Sequence, residues 1–109
     1  MEYQIEGRTV MADEEGYLLE ADYSEAACTA IAEAEGLTLG ENHRTVIQYL
    51  REQYREHGHT PNFRAMLKDV GELIEGCDSK QLYDLFPLGP AKQGTRVAGL
   101  PKPFGKGGY

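Results

Sequence analysis

The last 21 residues, GPAKQGTRVAGLPKPFGKGGY from Gly89 to Tyr109, constrain the fold most. They contain no Asp, Glu or Cys, and they are rich in Gly and Pro. Their bulky apolar side chains are Val97, Leu100, Phe104 and Tyr109. A segment with so little apolar surface to bury does not offset its own ordering entropy. The expectation is a domain built by residues 1–88, carrying residues 89–109 as a flexible, basic, partner-docking arm.

Charge separates the same two parts. The chain has 109 residues, enough for one small core. Eleven bases stand against eighteen acids, a net charge of −7. Four of those bases (Lys92, Arg96, Lys102 and Lys106) follow Phe86 without a single acid, leaving seven against eighteen, or −11, in the first 86 residues. An acidic body with a basic tail suits a protein partner. It speaks against non-specific binding of nucleic acid by the body, because phosphate attraction needs a basic face. No apolar run approaches the length of a membrane span, and MEYQIEGRTV lacks the pattern of a secretory signal. Two cysteines, Cys28 and Cys77, are too few for a disulfide framework. The expectation is a reduced, cytoplasmic protein with no membrane association.

Alternation at Tyr3 and Ile5, a turn at Gly7 and a second, acidic turn at Asp13-Glu14-Glu15-Gly16 predict a short β-hairpin or three-stranded piece. Helical signals follow. Asp22 or Ser24 is positioned to cap a helix running to Glu35. Thr38-Leu39-Gly40-Glu41 has the capping-box pattern for a second helix, with Val46, Ile47, Leu50 and Tyr54 inward and Arg44, Arg51, Glu52, Arg55 and Glu56 on a solvated face. Thr60-Pro61 is expected to start a third helix, with Phe63, Met66, Leu67, Val70, Leu73 and Ile74 as its stripe. Asp78 opens a fourth helix and Pro90 a fifth, ending at Gly99. The fold class is α+β and mainly helical: an N-terminal β-hairpin packed on a small helical bundle.

The helices flanking His57-Gly58-His59-Thr60-Pro61 resemble a helix-turn-helix, with Asn62, Arg64 and Lys68 on the second helix. On an acidic body this pattern reads first as a packed helical pair, and as a DNA-binding regulator second. His43, His57 and His59 have no metal-ligand spacing, so neither a metal nor a cofactor is expected. Cys28 among alanines reads as a small buried residue. Cys77 precedes a helix N-terminus, which favours a thiolate, but Asp78 beside it opposes one.

Leu82-Tyr83-Asp84-Leu85-Phe86-Pro87, Gly89-Pro90-Ala91-Lys92-Gln93 and Arg96-Val97-Ala98-Gly99-Leu100-Pro101-Lys102-Pro103 resemble the DsrC/TusE family of sulfur-relay proteins, which includes the gamma subunit of dissimilatory sulfite reductase. The resemblance extends over nearly the whole chain, through Asp13-Glu14-Glu15-Gly16-Tyr17-Leu18, Leu50-Arg51-Glu52, Tyr54 and Pro61. It implies a helical domain with an N-terminal hairpin and a C-terminal arm that reaches into a siroheme sulfite reductase. It also implies that a near-terminal arm cysteine carries sulfur, as a persulfide or with a second arm cysteine. Members resembling TusE pass sulfur toward thiolation of tRNA.

At the two arm-cysteine positions this chain has Thr95 and Lys106. Neither a hydroxyl nor an ammonium holds a persulfide. The resemblance, with those two changes, implies an accessory protein rather than an enzyme by itself. On this reading Lys92, Arg96, Gly99, Leu100, Pro101, Lys102 and Pro103 form a partner-binding arm without a catalytic thiol. The partner is a siroheme sulfite reductase or another sulfur-relay protein. The alternative is an active carrier, or sulfurtransferase component, that uses Cys77 or Cys28.

Overall fold

The N-terminal alternation becomes a hairpin because Glu6 and Gly7 both adopt left-handed φ values, 51° and 77°. A two-residue turn of that hand matches the twist of the strands it joins. The computed structural model describes residues 1–102. In it, β1 (Glu2–Ile5) and β2 (Arg8–Met11) pair antiparallel, with Tyr3 opposite Val10 and Ile5 opposite Arg8. Tyr3 and Ile5 are buried, while Glu2 and Gln4 face solvent. The acidic turn brings the chain back so that Leu18 bridges Ala12. The Asp13 carboxylate shapes that turn by accepting the Glu15 and Tyr17 N–H groups at 2.9 and 3.0 Å. The third strand is thus reduced to one bridge.

Five helices follow: α1 (Glu25–Ala34), α2 (Glu41–His57), α3 (Phe63–Leu73), α4 (Ser79–Leu85) and α5 (Pro90–Val97). Of the two candidate caps for α1, Ser24 is used, its hydroxyl accepting the Ala27 N–H at 3.1 Å. Two starts differ from expectation. Helix α2 begins after Gly40 rather than Thr38, and the His43 imidazole Nδ1 accepts the Gly40 N–H at 3.0 Å. Helix α3 begins after Asn62 rather than at Pro61, because the Asn62 side chain accepts the Ala65 N–H at 2.9 Å and outcompetes the proline as a start signal. The α2–α3 pair keeps its helix-turn-helix arrangement.

The larger correction concerns the C-terminal segment. Residues 90–100 are not an arm laid outside the domain. Helix α5 packs against α1, α2, α3 and α4. Ala91, Gln93, Gly94, Thr95, Val97, Ala98, Gly99 and Leu100 are all buried. Scarcity of bulk suits α5 to the axis of the bundle, where neighbours crowd from several sides. A Cβ on Gly94 would stand 3.0 Å from Leu50 Cδ1. Large side chains from the surrounding elements (Leu50, Met66, Leu82 and Phe86) supply the apolar volume. The packed segment therefore runs through Leu100. The expected arm residues Pro103 and Lys106 lie outside the described residues. No helix among the described residues is long and apolar enough to cross a membrane.

Helix α5 ends in a Schellman closure. The Leu100 N–H donates to Thr95 O at 3.2 Å and the Gly99 N–H to Arg96 O at 3.0 Å. Gly99 has φ +77°, and a Cβ there would meet the Asp22 carbonyl oxygen at 2.3 Å. We expect Gly99→Ala to lower unfolding free energy by roughly 2 kcal/mol or more, from the left-handed backbone and the clash together. Urea denaturation checks this, and a midpoint equal to the parent's would contradict it.

Candidate functional site

The place where the chain leaves the core is held by one buried cation. Arg51 lies on α2, one residue beyond Leu50, and its side chain is only 7% exposed. It was expected on the solvated face of α2. Its guanidinium instead turns inward. Nε donates to Ala98 O at 2.9 Å and Nη1 to Tyr23 O at 2.7 Å. Nη2 donates to Ser24 O at 3.0 Å, to Asp22 O at 3.2 Å and to Cys28 Sγ at 2.9 Å. The Asp22 N–H donates back to Gly99 O at 2.8 Å. Arg51 thereby ties the end of α5 to the loop that enters α1. The fork of a guanidinium spans such separated acceptors, as a lysine ammonium does not. Asp22 itself is pulled two ways. Partial burial raises its carboxyl pKa, but the Ser24 N–H and hydroxyl and the Arg8 guanidinium outweigh this and bring it below the ordinary carboxylate value.

A second cation fixes the other side of the same root. Arg96 makes a two-pronged pair with Glu35, Nε to Oε2 and Nη2 to Oε1 both at 2.9 Å, with each side chain 12% exposed. Its guanidinium also stands 5.6 Å from the Tyr17 ring centroid. Gln93 joins through Nε2 to Glu35 Oε1 at 3.0 Å. The hairpin, α1 and α5 therefore meet at Glu35. Beyond this root, Pro101 is half-buried and Lys102 is exposed. Lys102 pairs with Glu15 on the acidic hairpin turn, which raises the ammonium pKa.

The expected arm residues thus separate. Arg96, Gly99 and Leu100 belong to the core, Pro101 and Lys102 begin the departing segment, and Lys92 is exposed near the opposite end of α5. Thr95, expected from the resemblance at an arm-cysteine position, is fully buried. Its hydroxyl donates to Ala91 O at 2.6 Å and contacts Thr60 Oγ1 at 3.3 Å. A side chain there points into the bundle.

The two thiols are not brought to this root as reactive groups. Cys28 is 1% exposed, and burial raises its thiol pKa although Arg51 opposes the shift. Cys77 is 9% exposed, and burial followed by the Asp78 charge raises its pKa as well. His43 is occupied by Gly40 and, through Nε2, by the Leu85 carbonyl at 2.8 Å. Among the described residues no group of three or more His, Cys, Asp or Glu is placed to hold a metal. Asn62 is spent capping α3, while Arg64 and Lys68 are exposed on an acidic body.

Sequence reasoning missed Arg51 and Glu35. The available signal for Arg51 was its spacing, four residues after the inward-facing Ile47, which puts it at the border of the apolar stripe. Nothing local marked Glu35, because its partner is 61 residues away.

Together these features define a small helical scaffold that presents a rigid, hydrogen-bonded root to a C-terminal segment. Residues 4–105 match the family model described as DsrC like protein. The sulfurtransferase TusE of Pectobacterium atrosepticum is 43% identical over 103 residues, covering 92% of this chain and 94% of that protein. The oxidized gamma-subunit of the dissimilatory sulfite reductase (DsrC) from Archaeoglobus fulgidus superposes with a TM-score of 0.89 at 33% identity, covering 97% of this chain and 99% of that one. DsrC of Allochromatium vinosum gives a TM-score of 0.85 at 42% identity, with the same coverage of both chains. The chain belongs to the DsrC/TusE family.

Two outcomes follow from the geometry. Arg51→Lys should destabilise the protein by roughly 2 kcal/mol or more, because several carbonyls lose their donor while the charge stays buried. Urea midpoints for Arg51→Lys and the parent test it, and agreement within about 0.5 kcal/mol, the usual size of a surface substitution, would contradict it. Raised thiol pKa values mean less thiolate at neutral pH than in an exposed cysteine. Iodoacetamide at pH 7 should therefore label Cys28 and Cys77 much faster in denaturant than in the folded protein. Folded-state labelling should rise with pH as the raised thiol values are approached. Peptide mass mapping reads both.

Proposed function

We propose that this chain is a partner-binding member of the sulfur-relay family that docks through its C-terminal arm and carries no sulfur on it. The observation that supports this is the pair of replacements at the arm-cysteine positions, Thr95 and Lys106, in a chain whose two cysteines both sit in the folded body. Sulfur carriage requires a thiolate that attacks a persulfide donor and then offers its outer sulfur to an acceptor. Thr95 supplies a buried hydroxyl, and Lys106 supplies an amine. The arm retains what docking needs: a fixed root, basic charge against the acidic body, and prolines that lower the ordering entropy lost on binding. The partner is a sulfur-metabolism protein, either a siroheme sulfite reductase or another relay component. The likeness to a sulfite reductase gamma-subunit supports the first. Binding without carriage makes the protein a competitor or regulator of cysteine-bearing relatives. The alternative, carriage by Cys77 or Cys28, is disfavoured by their burial and raised thiol pKa values.

Intact-mass analysis after incubation with a cysteine desulfurase, cysteine and a persulfide-trapping alkylator tests this proposal. The parent should gain no sulfur. Lys106→Cys should gain one sulfur on the new thiol. A sulfur on Cys77 or Cys28 of the parent would overturn the proposal and make the chain a carrier with a relocated thiol.

A further inference from the structure

Away from the arm root, the far end of α5 forms the wall of a cleft of about 340 Å³. Phe63 from α3, Tyr83 from α4, Leu88 from the connecting turn and Pro90 at the start of α5 line it. The Phe63 and Tyr83 rings lie 5.6 Å apart between centroids. Leu88 is 62% exposed and Tyr83 48%, which places two large exposed apolar side chains beside one opening. Single exposed apolar residues are ordinary, but a concave cluster of them marks a binding surface. The wall is held in place. Buried Gln93 accepts the Leu88 N–H through Oε1 at 3.0 Å, and the Gly89 N–H donates to Phe86 O at 3.0 Å. The cleft therefore exists before anything occupies it, which lowers the cost of binding.

Lys92 is the one charged side chain in the lining, and it is exposed. Among the described residues it makes no ion pair with a carboxylate, as is also true of the exposed Arg55, Arg64 and Lys68, but of these four Lys92 alone lines the cleft. A cleft floored by the Phe63 and Tyr83 rings, with polar backbone and the Lys92 ammonium at its rim, complements an apolar side chain followed by a carboxylate. We infer that this cleft is a second docking site, which takes a segment of a partner protein carrying a bulky apolar side chain next to an Asp or Glu. The site is separate from the arm, and its occupancy does not depend on whether any thiol of this chain accepts sulfur.

Amide NMR spectra of the full chain test the assignment, with acetyl-Gly-Phe-Glu-Gly-amide and its Gln counterpart as probes. The Glu peptide should shift the Tyr83, Leu88 and Lys92 amides saturably. The Gln peptide should bind about two- to five-fold more weakly, as expected for one exposed charge pair. Lys92→Gln, an exposed change outside the arm root, should abolish that preference and leave the rest of the spectrum in place. Leu88→Asp should weaken both peptides. Equal affinity for the two peptides, shifts confined to another surface, or no shift would each overturn the assignment. Concentration-dependent shifts of the same amides in the chain alone would also overturn it, by naming a second copy as the occupant.

Discussion

The architecture depends on Arg51. Its guanidinium sits inside the domain without a carboxylate partner and is satisfied by four backbone carbonyls and a thiol. Carbonyl oxygens at the end of a helix and in a tight loop are the groups least able to find partners within their own segments. Arg51 answers two such sets at once, from residues 22–24 and from Ala98. Burial of the cation is tolerated because every guanidinium nitrogen donates, and the loop and the helix end are fixed because they must hold these acceptors in one geometry. No buried side-chain polar atom among the described residues lacks a partner. Such complete satisfaction is what makes a buried polar hub specify one arrangement.

Helix α5 then converts that anchor into a fold. Its small residues look unable to support a core, and alone they could not. Placed on the axis of the bundle, they let α1, α2, α3 and α4 close around them. The contribution of Gly94 is the space it leaves, filled by Leu50 and Met66 from neighbouring helices. The composition that suggested an arm is thus the composition of a central, crowded helix.

This arrangement bears on function. The scaffold separates a rigid root from whatever the departing segment does. Glu35 clamps Arg96 on one side of the root, and Arg51 clamps Ala98 on the other. Neither clamp uses the residues beyond Leu100. The scaffold is therefore independent of the side chains that stand beyond Leu100. Thr95 fits its place as a structural residue, bonded within its own helix and touching Thr60.

Local chemistry in the sequence determined the hairpin, the five helices and most of their ends. Paired left-handed residues at Glu6 and Gly7, the Ser24 and Asp78 caps and apolar spacings such as Val46, Leu50 and Tyr54 act within a few residues of themselves. The family was equally legible, because it rests on side-chain identity. The inward turn of Arg51, the pairing of Glu35 with Arg96 and the burial of residues 90–100 were decided only in three dimensions. Each depends on partners from distant parts of the chain, and a residue's own neighbours carry no record of them. A charged residue beside an apolar stripe, or a run of glycines and alanines, has one meaning at a surface and another at a crowded axis. The packing of the helices chose between them.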